Sequence, residues 1–284
     1  MPAQPTPVPI GRWLARFAAL PPLAWLGLQA LALWPHGRWA SARWSDGSDD
    51  PLGLAAAAVL LGWVAWHAGE LRRDAHPAWW GAAAALTLLA TLSVGHAPPL
   101  AGALLAAAAL ACGWRAFAPA GRALLPLAGL AVLALPVVSS LQFYAGWPLR
   151  WLTAQCSTWL LQLAGMAAQR SGTAMVVEGR LVIVDAPCSG VQMAWMAYFC
   201  ACAIAACVHV RERSFVRRLP WVGLTVLAGN VLRNTVLVAL EARGPVEELI
   251  HQGIGLGVLA MVCSVVAMLM LKREGRDAHD ADPS

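Results

Sequence analysis

Apolar residues run along this chain in blocks close to the roughly 20 residues that cross a bilayer as a helix. Short polar segments punctuate them. The blocks fall near 13–33, 52–66, 79–94, 100–117, 123–144, 188–208, 219–240 and 249–271. This pattern predicts an all-α, polytopic helical membrane protein of about eight transmembrane helices. Pro126 and Pro136 are expected to bend the fifth block, because proline lacks an N–H and clashes with the preceding turn. The segment from His36 to Asp50 is polar and carries Asp46, Asp49 and Asp50.

Two segments depart from the pattern. Between Trp147 and Arg170, the residues Leu149, Leu152, Cys156, Trp159, Leu163 and Met166 follow a helical period. Thr153, Gln155, Ser157, Thr158 and Gln162 interrupt them, which suits a short interfacial helix or one dipping into the membrane. From Met175 to Val184 the runs M-V-V and L-V-I-V, joined at Glu178-Gly179-Arg180, read as a β-hairpin before the sixth span. The whole chain, 1–284, is then a single integral-membrane domain. Five spans occupy 13–145, the outer interfacial helix and hairpin 146–187, a three-span part 188–271, and a cytoplasmic tail 272–284. Residues 1–10 are Pro-rich and expected to be disordered. Ala30-Leu31-Ala32 matches a signal-peptidase site, yet Pro21-Pro22, Trp25 and Trp34 favour a retained anchor.

Composition narrows the class further. Of 284 residues, 59% are hydrophobic and 12% charged, which leaves no soluble domain of useful size. The net charge of +5 is not a nucleic-acid footprint, because the arginines flank apolar blocks and Lys272 is the single lysine. Charge instead sets orientation. With both termini in the cytoplasm, Arg12, Arg16, Arg72, Arg73, Arg115, Arg122, Arg211, Arg213, Arg217, Arg218, Lys272, Arg273 and Arg276 lie inside. Arg38, Arg43, Arg150, Arg170, Arg180 and Arg243 lie outside, a bias that obeys the positive-inside rule. The seven cysteines form no C-x-x-C pair and no His/Cys metal spacing, so no metal or cofactor is expected. Cys112, Cys200, Cys202, Cys207 and Cys263 fall inside apolar runs and read as small packing residues.

This topology brings chemistry together. In D-A-P-C-S-G-V-Q, residues 185–192, Cys188 stands where a loop turns into the sixth span. A helix start offers unpaired N–H groups and a positive dipole end, and both favour the nucleophilic thiolate. Ser189 and Gly190 are small enough for a peptide backbone to approach. The same residues also suit a plain helix-start turn. Gln192, one turn after Cys188, can orient the thiol or a substrate amide. Arg233 is the one charged side chain deep in an apolar run, roughly 10 Å below the outer end of the seventh span at ~1.5 Å per residue. A charge there calls for a polar cavity or partner, or for a side chain that snorkels to the interface. Asn230 and Asn234 flank it. His251 lies at the outer start of the eighth span, either capping it or joining the site. Gln252, Gly253, Gly255 and Gly257 follow, a pattern of close helix packing.

P-C-S-G-V-Q at 187–192, N-V-L-R-N at 230–234 and H-Q-G-I-G at 251–255 sit at the outer ends of successive spans. Together with P-L-R at 148–150 and V-x-x-x-G-R-L-V-I-V-D-A before the cysteine, they resemble the exosortase/archaeosortase family over about 144–270. Pro187 and Val191 stand where alanine and leucine or isoleucine are common. The resemblance implies a cysteine transpeptidase or protease of the bacterial inner membrane, with its active site facing the periplasm. Its implied partners are exported proteins ending in a short motif, a transmembrane helix and a basic tail, of the PEP-CTERM kind that accompanies exopolysaccharide loci. It assigns Cys188 as nucleophile, with Arg233 and His251 completing the site. Ser189, Gly190, Gln192, Asn230 and Asn234 would bind substrate or support the site. The expected chemistry needs no metal or cofactor, and the expected partners are the substrate proteins and the lipid bilayer, with no nucleic acid. The rival class is a transporter or an exopolysaccharide assembly factor in which Arg233 is an anion site. A transporter, however, usually concentrates polar residues near the midplane of two matching halves.

Overall fold

A computed structural model describes residues 20–183 and 190–272 of the chain. The described residues are largely helical, with one small sheet, and divide into two compact units: 1–42 with 61–122, and 43–60 with 123–284. In chain order the α-helices are α1 (Pro22–Ala32), α2 (Trp34–Ser45), α3 (Leu52–Trp66), α4 (Pro77–Ser93), α5 (Pro99–Phe117), α6 (Leu125–Leu133) and α7 (Val138–Leu163). Strands β1 (Ala168–Ser171), β2 (Ala174–Val177) and β3 (Arg180–Ile183) follow, then α8 (Val191–Cys207), α9 (Glu212–Glu241) and α10 (Glu248–Leu271). By length and composition, α5, α9 and α10 can each cross a membrane. Helices α6 and α7 qualify only as a bent pair, and α1, α3 and α8 are apolar but shorter.

In the first unit, α4 and α5 pack along their length around Leu33, Ala90, Ala106 and Ala109. Polar side chains stitch this core. Gln29 Nε2 donates to Thr87 Oγ1 at 3.0 Å and to the Ala109 carbonyl at 2.9 Å. His36 Nε2 lies 3.0 Å from the Ala90 carbonyl. The polar segment after the first block is therefore not an open loop. It forms α2, because His36 and Ala40 turn inward and are buried.

The second unit differs from the sequence expectation in two places. The bend expected at Pro136 is present, as a full break in the fifth block, and the one expected at Pro126 is not. Pro126 lies in the first turn of α6, where its missing N–H costs nothing. The break comes at residues 134–137, where Pro136 lacks a donor and disfavours helical geometry at Leu135. Helices α6 and α7 meet there at 95°. The expected short interfacial helix is the second half of α7, a 26-residue helix that runs through Pro148. Much of its polar side is turned from water: Thr153, Ser157 and Thr158 are buried, the first two bonded to α9, while Gln162 is exposed and donates to the Ala168 carbonyl.

The hairpin forms as its pattern predicts. Val177 pairs with Arg180 across Glu178 and Gly179, both with positive φ (49° and 78°). That is the backbone that two-residue hairpin turns require. A third strand, β1, pairs antiparallel with β2. Alternation along β2 buries Met175 and Val177 and exposes Val176. The buried face packs on Ala154, Leu161, Val238 and Ala242, which fixes the sheet against α7 and α9. Arg180 Nη1 also reaches the Glu241 carbonyl at the end of α9. The start of α8, the end of α9, the start of α10 and the hairpin therefore share one end of this unit. At the other end, Arg218 donates to the Met270 and Lys272 carbonyls, and Glu212 accepts from the Leu124 N–H.

Candidate active site

Two small residues determine how α9 meets α10. A Cβ on Gly229 would come within 2.4 Å of Val262, so only glycine allows the helices this close. One turn along the same face of α9 is Arg233, and its partner across the contact is Gly255, whose added Cβ would lie 3.3 Å from Arg233 Nε. Gly255 makes the slot in which the half-buried guanidinium lies. One turn back from Gly255 on α10 is His251, and Arg233 Nη2 sits 3.4 Å from His251 Nε2. A guanidinium only donates, so this contact is a hydrogen bond when Nε2 carries the lone pair and Nδ1 the proton. Of the glycines expected to pack closely here, Gly255 does. Gly253 and Gly257 would meet nothing within 4 Å.

The rotation of α9 that aims Arg233 at α10 is set from its other side. Asn230 Nδ2 donates to Thr153 Oγ1 and Asn234 Nδ2 to Ser157 Oγ, each at 3.0 Å, and Ser157 Oγ approaches the Val231 carbonyl at 3.3 Å. Both asparagines are buried, so they brace α9 on α7 rather than face a substrate. Bonds of this kind between membrane helices are worth about 0.6–2 kcal/mol each. That is enough to choose one rotation of α9 without dominating its stability. Asn230 has a further role. Gly190, the residue before α8, has φ +82°, and a Cβ there would lie 2.8 Å from Asn230 Cγ. Glycine is thus required twice, by backbone conformation and by space. Cys188 and Ser189 lie outside the described residues, but the chain enters α8 two residues after Cys188, on the asparagine one turn from Arg233.

The family model for the transmembrane exosortase matches residues 39–269. The chain belongs to the transmembrane exosortase family. No curated protein and no solved structure matches it.

Within this exosortase, Gln192 is exposed on the first turn of α8 and donates through Nε2 to Asp50 Oδ2 at 2.9 Å. Gln252 is also exposed and donates to Glu248 on its own helix. The cysteines inside apolar runs take separate positions: Cys200 and Cys263 face each other at 3.8 Å across α8 and α10, and Cys202 packs against Gly129. Cys156 lies on α7, partly buried.

Sequence reasoning missed the partners of these side chains: Thr153 and Ser157, which interrupt an apolar period and bond Asn230 and Asn234, and Asp50, which bonds Gln192. A signal for the first two is present in the sequence. Thr153 and Ser157 are four residues apart, as are Asn230 and Asn234, and matched one-turn spacings on two helices are what an interhelical polar ladder needs.

Proposed function

We propose that this exosortase is a membrane-embedded cysteine transpeptidase or protease. It cleaves the C-terminal sorting signal of exported proteins, of the PEP-CTERM kind, at the outer face of the bacterial inner membrane. The observation that carries this reading is the Arg233–His251 contact, formed at the end of the unit where α8 begins, three residues after Cys188 in sequence. Family membership supports it. We further propose about eight spans, with that end facing the periplasm and the Arg211–Arg218 loop in the cytoplasm.

The chemistry follows from these groups. The Cys188 thiolate attacks the scissile carbonyl carbon, forming a C–S bond and a tetrahedral oxyanion. His251 releases its Arg233 contact, takes the thiol proton on Nε2 and returns it to the leaving amine as the C–N bond breaks. Arg233 stabilises the oxyanion by fixed charge in a poorly hydrated site. An incoming amine or water then attacks the thioester and releases Cys188 as the thiol. With an amine the product is a new amide, and with water it is a carboxylic acid.

Trapping tests this reading directly. Purified enzyme mixed with substrate and quenched in acid should carry the substrate's acyl fragment on Cys188, released by hydroxylamine and located by peptide mass. An adduct on another residue, or cleavage with no acyl-enzyme under rapid quench, rejects it. Orientation is checked separately by impermeant thiol labelling of single-cysteine variants. A cysteine replacing Arg213 should label only after permeabilisation, and one replacing Arg243 should label in cells whose outer membrane alone is opened. The reverse pattern overturns the orientation.

A further inference from the structure

The turn between α2 and α3 reaches three helix starts of the second unit. Asp49 is buried; its Oδ1 accepts from the Asp50 N–H at 2.8 Å and from the Ser139 N–H at 3.2 Å, while Arg43 stands 3.7 Å from Oδ2. Ser139 Oγ in turn donates to the Ser48 carbonyl. These bonds hold the turn on the first residues of α7. Asp50 follows with both oxygens engaged: Oδ1 accepts from the Leu52 N–H at the start of α3, and Oδ2 from Gln192 Nε2 at the start of α8.

We propose that Asp50 is a positioning residue of the exosortase site. It holds the Gln192 amide so that its oxygen is presented to a backbone N–H of an extended substrate peptide. This rests on the function proposed above. The argument is one of donors and acceptors. An ionised carboxylate only accepts, so Gln192 must turn its nitrogen toward Asp50 and its oxygen away. Without such a partner an exposed glutamine amide turns over freely and offers donor and acceptor alike. The bond is charge-assisted and stronger than a neutral one. Asp50 is itself held at Leu52, and its neighbour Asp49 at Ser139, so the anchor does not swing with Gln192. The amide stands on the first turn of α8, two residues after Gly190 and, in sequence, four after Cys188, so on the proposed function a bound peptide passes close to it. A fixed acceptor there selects an extended chain with a free N–H.

Asp50→Asn leaves one acceptor oxygen for two donors, the Leu52 N–H and Gln192. Gln192→Glu sets two carboxylates face to face. Each single variant should raise KM for a sorting-signal peptide about tenfold, the scale of one lost charge-assisted hydrogen bond. The kcat per folded enzyme should stay near native. In the double variant, Asp50→Asn with Gln192→Glu, the introduced amide oxygen still accepts from the Leu52 N–H. The introduced amide nitrogen donates to the introduced carboxylate, and an acceptor oxygen again faces outward. Its KM should return to within about threefold of native, the signature of direct coupling in a double-mutant cycle. Kinetics on detergent-purified enzyme, normalised to folded protein, give the readout. A purely structural role would lower the active fraction and leave KM unmoved, which overturns the proposal, as does a double variant no better than the worse single one. Cys188→Ala is run in parallel. If it still cleaves, the functional reading fails and this proposal with it. If it is inactive while Asp50→Asn keeps a native KM, only the role of Asp50 falls.

Discussion

Cys188→Ala abolishes substrate processing while the protein still folds and reaches the membrane. The expectation starts from seven cysteines, of which Cys188 has small neighbours and precedes the first residue of α8 by three positions in sequence. Helix N-termini and adjacent positive charge favour the thiolate, which is the reactive form. The structure adds that the chain passes into α8 over Gly190, seated on Asn230, three residues from Arg233 on the same helix. Cys200, Cys202 and Cys263 are engaged with one another or with Gly129 inside the helices. A variant with the other six cysteines changed to Ala or Ser should therefore retain activity. The readout is the size shift of a C-terminally tagged substrate in cells. Cleavage surviving in Cys188→Ala, or Cys188→Ser working as well as native, removes thiol chemistry and moves the transporter or assembly reading ahead.

Arg233→Lys should lose most activity although the charge is kept, by about 100-fold, the scale of removing one oxyanion donor. The guanidinium lies in the slot left by Gly255 with Nη2 at His251. A lysine is a point charge on a flexible stem and cannot both fill that slot and keep a planar fork toward the reacting atoms. Arg233→Ala should cost at least as much activity with little loss of folded protein. It removes an intramembrane charge, which is expensive to hold, and leaves the Asn230 and Asn234 bonds to α7 in place. Turnover on purified variants and the yield of folded protein separate these outcomes. Near-native turnover in Arg233→Lys would show that a point charge suffices.

Much of the site is legible in the order of residues. Counting rise per residue places Arg233 and His251 at matching depth on antiparallel spans, and their side chains do meet. Gly190 stands out for its small size at the head of a span, and its left-handed φ and the closeness of Asn230 give that choice its reason. The β2–β3 hairpin follows from alternation about Glu178-Gly179. All of these depend on information within one segment, or on the simple geometry of straight helices.

What the tertiary structure decided lies between segments. Pro136 marked the bend in the fifth block, but hydropathy could not show that it turns by 95° into a helix continuous through Pro148, because apolar character persists across the break. Nor could it show which way the polar side of α7 faces. Water and a neighbouring helix both satisfy Thr153 and Ser157, and only the packing of α9 selects the second. The Asp50–Gln192 bond joins residues 142 positions apart in sequence, and no local pattern encodes such a pairing. The sequence by itself determined the membrane class, the family and the residues proposed to carry the chemistry, since these rest on composition, period and short motifs. The rotation of α9, the glycine slot for Arg233 and the grip of the α2–α3 turn on three helix starts were decided by side-chain packing, which exists only once the helices are assembled.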